Sequence, residues 1–381
     1  MLRLSFKSLF LLVLLASLIP TKNGILAIDR RPESLAAVSA QTVEMQPDDL
    51  AITERIVHSY RRTAIINQNL GNSMWQLFFE TRHQSLHRMF LTGTLNEISN
   101  ILQNPHQSDL FYGFDNLAAS LLPGFASPDA KQAHATICLD SLVRFAEAIG
   151  AVSLDNPEHY HYIPAIPLQA DAIIDKINNM LGVQIVFPNP YPFENGLYTS
   201  YGIMSYRIPQ SLYQAYRLKQ MLKGIKNPRV LEIGAGLGRT AYYARLLGIC
   251  DYTIVDIPFT AISSGYFLAR TIGEENVLLS GEMALDKDQR VKILTPAEFL
   301  ASNGAYDLIL NADGFTEMDP IIAKTYWQHI EKVTPIFLSI NHEANAYTVK
   351  SLIDKSDHVA EVTRYPYWMR KGYIEEIVRF K

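Results

Sequence analysis

Three glycines at alternate positions close the segment Glu232-Ile233-Gly234-Ala235-Gly236-Leu237-Gly238, directly after an apolar run that begins at Val230. Glycine at such a strand-to-helix turn lets the backbone approach a ligand closely and take dihedrals that a Cβ would oppose. The amino terminus of the helix beyond it favours an anionic group. A dinucleotide site would carry glycine or alanine at the next position, where this chain has Arg239, and that argues against a pyrophosphate cradle. Asp256 ends the next apolar run; a carboxylate there can accept hydrogen bonds from two ribose hydroxyls. Each feature alone also fits an ordinary tight turn or an exposed strand-end aspartate. Their succession as strand, glycine turn, helix, strand and acid is a much rarer coincidence.

Two further strand ends carry polar groups. Asn311-Ala312-Asp313-Gly314-Phe315-Thr316-Glu317-Met318 follows the run Asp307–Leu310, and Asn341-His342-Glu343 follows Ile336–Ile340. Acidic and amide groups packed after apolar strands suit a cleft, although Asp319-Pro320 is equally an ordinary helix start. His342 is the general-base candidate, because an unperturbed imidazole titrates near neutrality. Glu317 or Glu343 could orient its ring. A satisfied or surface histidine is the competing reading. None of the 10 histidines shows metal-ligand spacing, so no metal is assigned. A divalent ion bridging acceptor hydroxyls would need Asp313, Glu317 and Glu343 to converge.

Positioning these residues requires a strand–helix alternation, and the chain has one. Strands are expected at Arg229–Ile233, Tyr252–Val255, Asp307–Leu310 and Ile336–Ile340, with helices at Thr240–Leu247, Thr260–Ile272 and Ile321–Ile330 between them. Either Asn276–Leu279 or Val291–Leu294 supplies the third strand. Strands alternating with helices imply a mostly parallel sheet covered on both faces. Val359–Arg364 and Tyr373–Phe380 read instead as an antiparallel pair at the end. Before this unit, apolar residues recur at helical spacing in Ile52, Ile56 and Tyr60 and again from Met74 to Phe90, which predicts a mostly α-helical domain. Residues 151–200, rich in proline, read as a connecting segment or lid.

The composition is that of a globular protein: 48% of the 381 residues are hydrophobic and 19% charged. A net charge of -4 gives no basic face for nucleic acid. The 2 cysteines, Cys138 and Cys250, form no disulfide framework or zinc spacing and read as small buried residues. The first 28 residues have a basic start, an apolar stretch from Ser8 to Pro20 and a small-residue end, the layout of a signal peptide. A membrane anchor through residues 8–28, or a true start at Met45, are the other readings. The expected division is 1–28 signal-like or anchor segment, 29–46 linker, 47–200 α-helical acceptor or lid domain, and 201–381 ligand-binding domain.

Taken together, Trp75 and its aromatic helix, Gly113, Leu231-Glu232-Ile233-Gly234, Tyr252-Thr253-Ile254-Val255-Asp256-Ile257-Pro258, Asn311 through Met318, and Ser339 through Glu343 resemble the sugar O-methyltransferases of bacterial surface-polysaccharide gene clusters. The resemblance covers about residues 50–380. It implies an α/β, Rossmann-like class I methyltransferase fold with an antiparallel carboxy-terminal strand and S-adenosylmethionine as cofactor. It implies cofactor contacts at Glu232, Gly234, Ala235, Gly236, Gly238, Asp256, Asp313 and Arg207, with Tyr198 and Tyr206 near Arg207. It implies a sugar or glycoconjugate acceptor, and catalysis by His342 with Glu317 and Glu343. A phenolic or lipid acceptor, or a binding protein that keeps the fold without the reaction, are the alternatives. The resemblance implies a cytoplasmic enzyme, whereas the first 28 residues point to a membrane or to secretion.

Overall fold

Why short apolar runs separated by helices become one sheet is visible in which residues each strand buries. β3 (Arg229–Ile233), β4 (Asp251–Val255), β5 (Val277–Leu278), β6 (Val291–Leu294), β7 (Leu308–Ala312), β8 (Ile336–His342), β9 (Val359–Pro366) and β10 (Tyr373–Phe380) form an eight-stranded sheet in the order β5-β6-β4-β3-β7-β8-β10-β9. Val230, Tyr252, Ile254, Leu308, Leu310, Leu338 and Ile340 pack into one core cluster, and their neighbours Leu231, Ile233, Val255, Ile309 and Phe337 into another. Alternate residues thus face opposite sides of a sheet that is covered on both, as a parallel sheet requires. Burying each such side chain contributes roughly 1.5–3 kcal/mol, so a one-residue register slip would exchange the two cores at large cost. The computed structural model describes residues 47–64, 70–115, 127–154, 169–283 and 289–381. The signal-like segment, the linker before residue 47 and the Tyr160–Pro164 stretch lie outside them.

Both candidates for the third strand form. Val291–Leu294 pairs with β4, and the two-residue Val277–Leu278 pairs beyond it at the sheet edge. β10 runs antiparallel between β8 and β9, and the other pairings in the sheet are parallel. This is the class I methyltransferase fold, a Rossmann-like, mostly parallel sheet with an antiparallel carboxy-terminal strand. From β3 the chain winds outward to β4 and β6, then returns to lay β7 and β8 on the other side. The strand order therefore reverses between β3 and β7, where such sheets open a crevice at their carboxyl ends.

The residues before the sheet are helical: α1 (Pro47–Thr63), α2 (Met74–Phe78), α3 (Gln84–Thr92), α4 (Leu95–Gln103), α5 (Pro128–Ala148) and α6 (Ala170–Leu181). Thr94 and Glu97 form a capping box at the start of α4, and Ser127 followed by Pro128 caps α5. The aromatic helix expected across Met74 to Phe90 is broken by a π turn at Phe79–His83, a device common beside functional sites. A hairpin of β1 (Leu197–Thr199) and β2 (Gly202–Met204) straddles residue 200, so a division after residue 200 would cut a paired unit. α7 (Arg207–Met221) then leads into the sheet, whose crossovers include α8 (Arg239–Leu246), α9 (Pro258–Ile272), α10 (Pro296–Ala301) and α11 (Pro320–Val333). Among the described residues, no helix is long and apolar enough to cross a membrane.

Candidate active site

The crevice is walled by the turns after β3, β4, β7 and β8. Gly234, Gly236 and Gly238 have φ of 74°, 59° and 80°, a left-handed region that only glycine enters without strain. They do different work. A Cβ on Gly238 would come within 3.0 Å of Leu268, so this glycine lets helix pack on sheet. A Cβ on Gly236 would meet nothing nearer than Phe114 at 3.9 Å, and one on Gly234 nothing nearer than Asn311 at 3.8 Å. At those two positions a Cβ would make only ordinary van der Waals contact with the described residues. Beneath them Asn311 ties three strands together: its Nδ2 donates to Ile233 O at 2.8 Å, and its Oδ1 accepts from Phe315 N at 3.0 Å and from Asn341 Nδ2 at 2.8 Å.

Asp256 is buried at the end of β4, where one carboxylate oxygen accepts from Ile257 N at 2.8 Å and the other from Gly236 N at 3.3 Å. Burial pushes its pKa up to about 7 in spite of these backbone donors, among them Ala235. Glu232, two residues before the first glycine, is buried; its carboxyl accepts from Tyr252 OH at 2.9 Å, and burial lifts it to about 7. Beside Ile257 and Pro258 lies a small cavity of about 30 Å³ lined also by Tyr60, Trp75, Phe79 and His83. The π turn sets His83 against Phe259, with ring centroids 4.9 Å apart, and its Nε2 is 3.0 Å from Asp109 O.

Across the crevice, Asp313 has a φ of 67°, left-handed for a residue with a Cβ. Aspartate tolerates this region better than most, and the strain is held by four contacts. Its N–H donates to Ile340 O at 2.9 Å. Its Oδ2 accepts from Arg207 Nη1 at 3.1 Å and Arg370 Nη1 at 2.9 Å, and its Oδ1 accepts from Tyr373 OH. Asp313, Glu317 and His342 each place one ligating atom within 4.8 Å of the others. Asp313 is held well below the usual carboxylate range by the two guanidinium groups, which outweigh its burial. Glu317 is lifted, first by burial and then by the Asp313 charge, although Trp75 hydrogen-bonds to it. His342 is pushed below 6.5 by burial, and its Nδ1 lies 3.3 Å from Ala344 N. That N–H must donate, which favours the tautomer with the proton on Nε2.

Of the residues singled out by sequence, the structure thus gathers Gly234, Ala235, Gly236 and Asp256 on one wall, and Asp313, Arg207, Glu317 and His342 on the other. Glu343 does not join them; it lies in the bend just past the end of β8 and pairs with Arg364 at 2.7 Å. The convergence that a divalent ion would need therefore runs through His342 instead of Glu343. The donor types suit a metal, but two guanidinium groups on Asp313 disfavour a second cation there. Arg370 and Tyr373 were not expected at the site, and neither was the buried contact of Arg239 with Asp115 and Glu194 behind the glycine turn. An acid inside the apolar segment Pro192-Phe193-Glu194 is the one sequence signal that a buried partner was needed.

No protein-family model matches the sequence, and no curated relative matches it. Among solved structures the chain is similar to magnesium protoporphyrin IX methyltransferase of Synechocystis with bound SAM, at 12% identity and a TM-score of 0.33, over 45% of this chain and 79% of that one. It is similar also to the 1,6-didemethyltoxoflavin-N1-methyltransferase of Burkholderia thailandensis with bound S-adenosylhomocysteine, at 18% identity and a TM-score of 0.31, over 45% of this chain and 78% of that one. At these values it is the strand order and register that carry the fold.

Proposed function

We propose that the chain is an S-adenosylmethionine-dependent O-methyltransferase whose acceptor is a sugar hydroxyl. The observation that carries the proposal is the pairing of two walls at the switch point. One has the left-handed Gly234 and Gly236 beside a buried Asp256; the other has a carboxyl with a raised pKa, Glu317, beside His342. The residues fit the cofactor: a Cβ at Gly234 or Gly236 would take space it needs, and Asp256 has acceptor capacity for ribose hydroxyls. When bound, the cofactor supplies an electrophilic sulfonium methyl. The chain holds the acceptor oxygen in line and removes its proton. Glu317 suits that role, because a carboxylate with a raised pKa is the stronger base once ionised. His342, with Nε2 as a donor, would orient the acceptor. The sugar class rests on the sequence resemblance.

Titration calorimetry with S-adenosylhomocysteine tests the reading. The wild-type protein lacking the first 44 residues is expected to bind it, and Gly236→Val to lose binding while keeping a cooperative unfolding transition. A folded wild-type protein that binds nothing would end the proposal.

Asp256 adds a pH dependence with a definite sign. Ribose hydroxyls donate to a carboxylate, and a protonated carboxyl has one acceptor oxygen fewer. With its pKa at about 7, affinity for S-adenosylhomocysteine should tighten as pH rises through that value. Asp256→Asn should flatten this dependence and weaken binding by about 10- to 100-fold, the equivalent of roughly 1.5–3 kcal/mol for hydrogen bonds to a charged group. An affinity that is level from pH 6 to 8 in the wild type would show that Asp256 does not meet the ribose.

A further inference from the structure

Arg207 and Arg370 both donate to the same oxygen of one aspartate, and among the described residues neither guanidinium is hydrogen-bonded to another carboxylate. Two guanidinium groups thus share one carboxylate in a partly desolvated site, where Arg370 is 21% exposed at its side chain. The fork of a guanidinium is matched to carboxylate and phosphate oxygens, and Arg370 uses one N–H on Asp313 among the described residues.

Arg370 is also unusually well placed for a residue on a hairpin turn. It lies 4.2 Å over the Tyr373 ring. Tyr367 and Met369, on the same turn, are buried. Trp368 between them hooks onto α5, its Nε1 donating to Arg144 O at 3.0 Å while Arg144 Nη1 donates to Trp368 O at 3.2 Å. The turn belongs to β9 and β10, so Arg370 reaches Asp313 from the β8–β10 side of the sheet, opposite the glycine turn and Asp256. That is the side left for the acceptor once the cofactor lies between β4 and β7.

We infer that Arg370, with Arg207 beside it, binds a carboxylate or phosphate carried by the acceptor, so that the enzyme selects an acidic sugar over a neutral one. The inference rests on the methyltransferase reading above. Its test starts by saturating the wild-type protein with S-adenosylhomocysteine, which checks that reading separately. The saturated protein is then titrated with D-glucuronate, D-glucose 6-phosphate and D-glucose. At least one anionic sugar is expected to bind about tenfold or more tightly than glucose, the scale of a charge-assisted hydrogen bond. Arg370→Gln should abolish that preference, and Arg370→Lys, which keeps the charge beside Asp313, should retain part of it. Equal behaviour of the three sugars, or a preference that survives in Arg370→Gln, would overturn the inference. Loss of S-adenosylhomocysteine binding in Arg370→Gln would overturn it too, by assigning the arginine to the cofactor's own carboxylate.

Discussion

Arg239→Met is expected to lower the unfolding free energy of the ligand-free protein by about 3–5 kcal/mol, the cost of removing one partner from a buried ion pair. Arg239 is 7% exposed at its side chain, and its partners Asp115 and Glu194 are 6% and 1% exposed. The Glu194 bond is 3.1 Å long, and Glu194 also accepts from Asn189 at 3.0 Å. Methionine would fill much of the same volume yet leave two carboxyl groups buried without a cation. Burial already raises Glu194, so part of the charge would be shed by protonation at a further cost. The three residues come from the first turn of α8, the loop after α4 and the segment before β1, so they clamp the helical region onto the glycine turn. The check is urea unfolding of the single variant and of the triple variant Arg239→Met, Asp115→Asn, Glu194→Gln. Removing all three charges should recover most of the loss, since a neutral buried set costs far less than an unpaired one. An unchanged unfolding midpoint in Arg239→Met would mean that the clamp contributes nothing.

The same arginine shows how far the sequence could be read. The sheet was legible because its strands are apolar runs bounded by glycine, proline and asparagine, with strand ends carrying the only dense polar groups nearby. From Arg229 onward the expected helix and strand limits moved by at most three residues, as at Pro258–Ile272 against the expected Thr260–Ile272. Asp256 and Asp313 could be placed together from sequence because strand order alone brings the ends of β4 and β7 to one edge of the sheet. Arg239 could be used only negatively, as the residue that is not a third glycine. Its partners lie 124 and 45 positions away, and no local pattern connects them. Arg370 was missed for the same reason: it reaches Asp313 across 57 positions through the antiparallel hairpin. Glu343 failed likewise. Its neighbour His342 is the last residue of β8, and in the bend beyond it Glu343 turns to Arg364, a partner 21 positions away that no local pattern shows. The π turn at Phe79–His83 leaves no trace in spacing either, since one inserted residue shifts a helical face without breaking it.

Glu317→Gln is expected to slow methyl transfer by about 10²–10⁴-fold, the usual contribution of a general base, with affinity for S-adenosylhomocysteine near the wild-type value. The amide keeps the size of the side chain and its bond from Trp75 but cannot take a proton. The pH profile separates this reading from a histidine base. Burial and the Asp313 charge raise Glu317 to about 8, so the carboxyl is mostly protonated, and idle as a base, at neutral pH. The rate should therefore climb as pH rises through about 8 and level off above it. His342 is shifted the other way, below 6.5. An imidazole base would already be free at pH 7, and the rate would be flat from there upward. His342→Gln, which keeps a donor near the position of Nε2, should lose less activity than Glu317→Gln and leave the rise at about 8 in place. A wild-type profile that is flat from about pH 7 to 9, or a loss in His342→Gln as large as in Glu317→Gln, would move the base to His342. The imidazole would then have to give up the Ala344 N–H to free a lone pair, and Glu317 would serve only as a neutral hydrogen-bond donor to the acceptor.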